Sequence, residues 1–237
     1  MSLAGQRVVV IGGTSGIGRG VARAALDAGA TVHIGSSSAE RLDAALARLG
    51  DGAGGGLIDV RDEAAVEAFF ASSGPLDHLV FSAGDWARGK TQIGPKFDLA
   101  DAKASFDTRF WGALLTIKHA LPQLAANGSI TLTSGLYAHR PAKGTSLTTA
   151  LTGATEHLIK GLAIDLAPIR VNVVTAGFID TEAWAGMSDE MKQGVTAHYP
   201  LARPGLPSEV AEAYLYFMRA GYTTGQVSIV DGGGLIA

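Results

Sequence analysis

"RVVVIGGTSGIGRGVARAALDAG", residues 7–29, decides the architecture. Its first part, "RVVVIG" (7–12), is a short β-branched run of the kind that fills a buried strand of a parallel sheet. Its last part, "GIGRGVARAALDAG" (16–29), has helical character and stops at Gly29. Between and at the join stand Gly12, Gly16 and Gly18. Glycine lets the backbone turn sharply and lets a phosphate come close, and the helix N-terminus behind the turn offers free N–H groups and a positive dipole end. A glycine triplet means little by itself in a chain with 32 glycines. Its place after a β-branched strand and before a helix marks it as a dinucleotide pyrophosphate turn, with Thr14, Ser15 and Ile17 on the same turn.

The alternation continues outward. "TVHIG" (31–35), "GGLIDV" (55–60), "LDHLVFSAG" (76–84), "GSITLTS" (128–134), "IRVNVVTAG" (169–177) and "GQVSIVDGG" (225–233) read as strands. Helices are expected at 37–50, with Ser37 and Glu40 as a capping box, and at 62–72, about 98–124, about 146–167 and 207–220. Repeated strand–helix–strand units give an α/β fold: a Rossmann-type doubly wound parallel sheet of about seven strands with helices on both faces. Residues 1–237 read as a single dinucleotide-binding domain. The least regular stretch, "TEAWAGMSDEMKQGVTAHYPLARPGL" (181–206), reads as a substrate lid.

Composition narrows the function. The chain is 47% hydrophobic and 17% charged, which is globular rather than disordered. A formal charge of −3 suggests no nucleic-acid surface. With no cysteine there is no disulfide, thiol catalysis or cysteine metal site, and the six scattered histidines suggest no metal. The start, "MSLAGQRVVVIGG", has too short an apolar run for a signal peptide, and no run of about 18 apolar residues follows, so the expectation is a cytoplasmic protein with no membrane partner.

The spacing G-x-x-x-G-x-G in the first turn resembles the short-chain dehydrogenase/reductase family, and the resemblance runs the full length. "LIDVRD" is similar to the family's adenine-contacting element, with Asp59 and Val60. "FSAG", with Ser82, Ala83 and Gly84, stands where the family has N-N-A-G. "APIRVNVVTAGFIDT", with Gly177, Ile179 and Thr181, is similar to its strand-six signature, which ends in the threonine that holds the nicotinamide amide. "RPGLPSEVAEAYLYF" and "TGQVSIVDGG" match its C-terminal pattern. The resemblance implies an oxidoreductase of a small carbonyl or alcohol. It also implies a homodimer or homotetramer, through the helices at 98–124 and 146–167 and the C-terminal strand.

NAD-selective members place an acid at the end of the second strand, and NADP-selective ones place arginine nearby. This chain reads "HIGSSSAER" there, with neither at the turn. Ser36, Ser37 and Ser38 at a helix N-terminus can donate to a phosphate, and Arg41 can add charge, so NADP is expected over NAD. The competing reading is that the serines only cap the helix.

The catalytic positions depart from the family. Its tyrosine donates a proton, its lysine four residues on lowers the tyrosine pKa and holds the ribose, its serine polarises the carbonyl, and its asparagine helps a water relay. "GSITLTSG" (128–135) and "TGATEHLIKGLAIDLAP" (152–168) fix the register without a gap, and between them lies "GTSLTTALTGA" (144–154). The tyrosine position falls on Thr148, the lysine position on Thr152 and the serine position on Gly135. "FDTRFWGALL" puts Arg109 at the asparagine position. Threonine has no acidity near that of tyrosine, and loss of a positioned acid costs about 10²–10⁴ in rate. Either other groups act or the chain binds the cofactor without turnover. The candidates are Tyr137, in "GLYAHRPAKG" with His139 and Lys143; Ser134, which serves only if its strand ends or bulges there; a water as proton source; and Arg109, which can hold a ribose or a carboxylate but cannot relay protons. Trp86, Trp111 and Trp184 are candidate pocket walls.

Overall fold

The computed structural model describes residues 2–84 and 93–237. Strand β1 (Arg7–Ile11) leads through the glycine turn into helix α1 (Gly16–Asp27), and the pattern repeats through β2 (Thr31–Ser36), α2 (Ala39–Leu49), β3 (Ala53–Leu57), α3 (Glu63–Ser73) and β4 (Leu76–Phe81). Then come α4 (Leu99–Phe106), α5 (Gly112–Ala120), β5 (Leu124–Gly135), α6 (Ser146–Asp165), β6 (Arg170–Ala176), α7 (Asp189–Thr196), α8 (Pro207–Arg219) and β7 (Val227–Val230). The seven strands pair in parallel in the order β3-β2-β1-β4-β5-β6-β7. The order reverses at β1 and β4, so the switch point of the sheet lies behind the glycine turn.

Strand alternation sorts the core into two layers. Val8, Val10, Val32, Ile34, Val80 and Val174 pack with α1, α2 and α8. Val9, Ile11, Leu79, Ile130, Leu132 and Val173 pack with α3, α5 and α6. Successive side chains of a strand point to opposite faces, so a run such as Val8–Ile11 feeds both layers and must be apolar throughout. The edge strand β3 is an exception. Gly54, Gly55 and Gly56 offer no side chains, and Phe69 and Leu42 close over bare backbone.

Several local expectations need correction. The cap of α2 is Ser38, which accepts the N–H of Arg41 at 3.3 Å; Ser37 does not fill that role. The expected helix at 98–124 is interrupted by a π-helical turn over Asp107–Trp111, which carries Arg109, and its end is replaced by the start of β5 at Leu124. The stretch 181–206 contains a 3-10 turn (Glu182–Trp184) and α7, whose cap Ser188 accepts from Met191 N–H. Among the described residues, no helix is long and apolar enough to cross a membrane.

Candidate active site

A cleft of about 1630 Å³ runs along the carboxyl ends of the strands. Its floor at one end is the glycine turn. Gly12 has φ +86, and a Cβ there would lie 2.7 Å from the Ala83 amide nitrogen, so the β1 and β4 turns touch backbone to backbone. Gly18 faces away from the cleft; a Cβ on it would be 2.3 Å from the Gly12 carbonyl, and its role is to let α1 start close behind the turn. Thr14, Ser15, Gly16 and Ile17 line the cleft with Asp59, Val60, Ser82, Ala83, Gly84, Gly177, Ile179 and Thr181. Thus the expected cofactor-binding positions other than Gly18 and Ser38 share one surface.

The donor set suits a pyrophosphate. Ser15 caps α1 with no side-chain hydrogen bond. The N–H of Gly16 is directed instead at an anionic oxygen, the Glu182 carboxylate, at 2.8 Å. The first turn of α1 therefore already receives an anion, as a helix N-terminus should.

The serine turn divides its labour. Ser36 Oγ donates to the Ser38 carbonyl at 3.2 Å and Ser38 Oγ caps α2, so both hydroxyls already have partners within the turn. Ser37 remains, with Arg41 Nη2 donating to its Oγ at 3.4 Å, and both line the cleft. Asp59 is held down to about 2 by hydrogen bonds from the Arg61 side chain and backbone, and is charged at neutral pH.

At the other end of the cleft stand the catalytic candidates Arg109, Ser134 and Tyr137, with Thr148 beside them. β5 continues in regular register through Ser134 and Gly135, without a bulge. Ser134 therefore points toward α6, is 2% exposed, and donates to the Thr152 carbonyl at 3.3 Å. The strand ends one residue later, at Gly135, and Ser134 still borders the cleft. Thr152 is itself buried and donates to the carbonyls of Thr148 and Thr149. Arg109 Nη2 donates to the Gly84 carbonyl at 2.6 Å, with its stem packed on Gly84, rather than pairing only along its helix. Tyr137, on a 3-10 turn after β5, lines the cleft together with Thr148, Trp184, His198 and Tyr199. Trp184 stacks on Phe178 at 5.0 Å. Trp111 is 55% exposed and packs on Phe110 outside the cleft, and Trp86 lies outside the described residues.

Some features went unread in the sequence. His139 is exposed, and its Nε2 meets the buried Glu156 at 2.8 Å, while Thr175 donates to the other carboxylate oxygen at 2.5 Å. Burial raises the Tyr199 pKa, with Arg140 opposing and Asp231 and Tyr137 adding to the rise. Glu182 and Arg19 also line the cleft; the only hint of the former is its place directly after Thr181. Among the described residues, no group of three or more acids and histidines could hold a metal.

Sheet order, glycine turn and cleft together define a dinucleotide-binding α/β protein. A family model described as enoyl-(acyl carrier protein) reductase matches residues 12–234. The chain is 35% identical to the short-chain dehydrogenase/reductase fsr5 of Gibberella fujikuroi, over 99% of this chain and 96% of that protein. A solved structure of a small-chain dehydrogenase in complex with NADPH superimposes with TM-score 0.84 at 37% identity, covering 98% of this chain and 99% of the other. The MalC reductase/Diels-Alderase of Malbranchea aurantiaca superimposes with TM-score 0.89 at 30% identity, covering 99% and 97%. The chain belongs to the short-chain dehydrogenase/reductase family.

Proposed function

We propose that the protein is an NADP(H)-dependent oxidoreductase of a small carbonyl or alcohol, with Tyr137 as its proton donor. One observation carries the reading: Tyr137 opens onto the same cleft as the glycine turn, Thr181 and Thr148. The dinucleotide supplies or accepts the hydride. The Gly12–Ile17 turn holds its phosphates, Asp59 and Val60 border its adenine, and Thr181 holds its carboxamide. Ser37 and Arg41 favour a 2′-phosphate, since both present donors and neither carries negative charge. Tyr137 holds the proton at its phenolic oxygen and delivers it to the alkoxide left by hydride addition. Trp184 and Phe178 keep water from that end of the cleft. The protein acts as a homodimer or homotetramer. NADPH oxidation across a panel of carbonyls tests the reading, and activity untouched by Tyr137→Phe rejects the donor.

A second reading is an NADP(H)-binding regulatory or scaffold protein without turnover. It is favoured by the hydroxyls of Ser134 and Thr152, both committed to backbone carbonyls. Calorimetric NADPH binding with no oxidation on any carbonyl would establish it.

A further inference from the structure

Glu182 reaches the phosphate turn from 166 residues away in sequence. Its Oε2 accepts the Gly16 N–H at 2.8 Å and its Oε1 pairs with Arg19 Nη2 at 2.5 Å. It thereby caps α1, whose own N-cap Ser15 supplies no side-chain bond. Burial works against the Glu182 charge, but hydrogen bonds from its own N–H and from Gly16, with Arg19 beside it, outweigh burial and lower its pKa. The group is a carboxylate at neutral pH.

A pyrophosphate oxygen needs the same N–H at the same helix end. Two anions cannot share it, because their repulsion at contact distance is strong wherever water is partly excluded. Arg19 lines the cleft, and its guanidinium matches a phosphate as well as it matches a carboxylate.

We propose that Glu182 is an internal competitor for the pyrophosphate of the dinucleotide, and that Arg19 is a pyrophosphate-binding residue which exchanges one anion for the other. The proposal rests on the dinucleotide-binding reading. The exchange conserves charge at Arg19 and at the α1 N-terminus, so binding strength reports the difference between two anions rather than the full value of one. Because Glu182 shares its short turn with Trp184, its displacement also shifts one wall of the substrate end.

Dissociation constants for NADPH and for adenosine 2′-monophosphate, which has no pyrophosphate, test this on the wild type, Glu182→Gln, Glu182→Ala and Arg19→Met. Removing the competing charge should tighten NADPH roughly tenfold in both Glu182 variants, and Arg19→Met should weaken it roughly tenfold, about the worth of one charge-assisted hydrogen bond. Adenosine 2′-monophosphate should change by less than about twofold throughout. NADPH binding that is unchanged or weaker in both Glu182 variants overturns the competition while leaving the dinucleotide reading intact. Equal gains for the two nucleotides overturn it as well. Failure of every form to bind NADPH removes both readings.

Discussion

One helical turn apart on α6, Thr152 donates its hydroxyl to the carbonyl of Thr148 at 2.8 Å. These are the two positions at which the family resemblance expects lysine and tyrosine. The Thr152 carbonyl in turn accepts from Ser134. The hydroxyls of Ser134 and Thr152 thus end on backbone oxygens, and the function proposed above assigns the proton to Tyr137 instead.

Tyr137→Phe tests that origin directly. The variant should bind NADPH as the wild type does and lower kcat for carbonyl reduction by about 10²–10⁴, the usual worth of a positioned acid. Stopped-flow NADPH oxidation and a parallel binding titration separate the two effects.

Rebuilding the family residues gives a complementary result. Thr148→Tyr, Thr152→Lys and Gly135→Ser together should raise turnover at least about 100-fold. Gly135 is in extended backbone, φ −149, so serine is conformationally free there. Thr152 is only 3% exposed, and lysine at that position without the partner substitutions should lower stability by about 2–4 kcal/mol, through lost packing and a poorly solvated ammonium. Urea unfolding of the single and triple variants measures this.

Arg41→Ala should weaken NADPH binding roughly tenfold and leave NADH nearly unchanged, because Arg41 and Ser37 are the donors that the second turn directs to the cleft. Equal loss for both nucleotides would show that the arginine serves the α2 terminus rather than a 2′-phosphate.

His78 sets a pH dependence far from the cleft. It bridges Ser129 and Gln6 in the floor of the sheet, and burial, helped by Arg170 and opposed by Asp77, pushes its pKa down from 6.5 to about 4. Between those values the unfolded chain binds a proton that the folded chain refuses. Stability is therefore full above about 6.5 and falls as the pH drops toward about 4, by roughly 3 kcal/mol in total. His78→Asn should flatten this part of the profile, as read from urea midpoints at several pH values.

The parts of the molecule governed by local pattern were readable from the sequence. The β-branched runs, the glycine turn and the helix starts near 62 and 98 follow from residue types within a few positions of one another, and the structure adds that Asp62 and Asp98 are the caps. The apolar spacing over 98–124 overstates the helix because it continues through the π-helical turn and into Leu124, where pairing with β4 takes over. The serine turn illustrates a finer limit. Three adjacent hydroxyls look equivalent in sequence, yet Ser36 borders the cleft with its hydroxyl donated to the Ser38 carbonyl, and the helix start claims Ser38. Contacts such as Glu182 with Gly16, or His139 with Glu156, depend on where distant loops fold back, and no local periodicity encodes them.

The glycine run in β3 has a consequence for how the molecule opens. Each strand glycine costs about 0.5–1 kcal/mol relative to alanine, and β3 has three in succession at the edge of the sheet, paired on one side only. Amide exchange should therefore reach Gly54–Gly56 through a local opening about 2 kcal/mol below that of β1, and well before global unfolding. The end of the cleft beside Asp59 and Val60 would then breathe on its own, while the switch point between β1 and β4 stays shut until the whole sheet is lost.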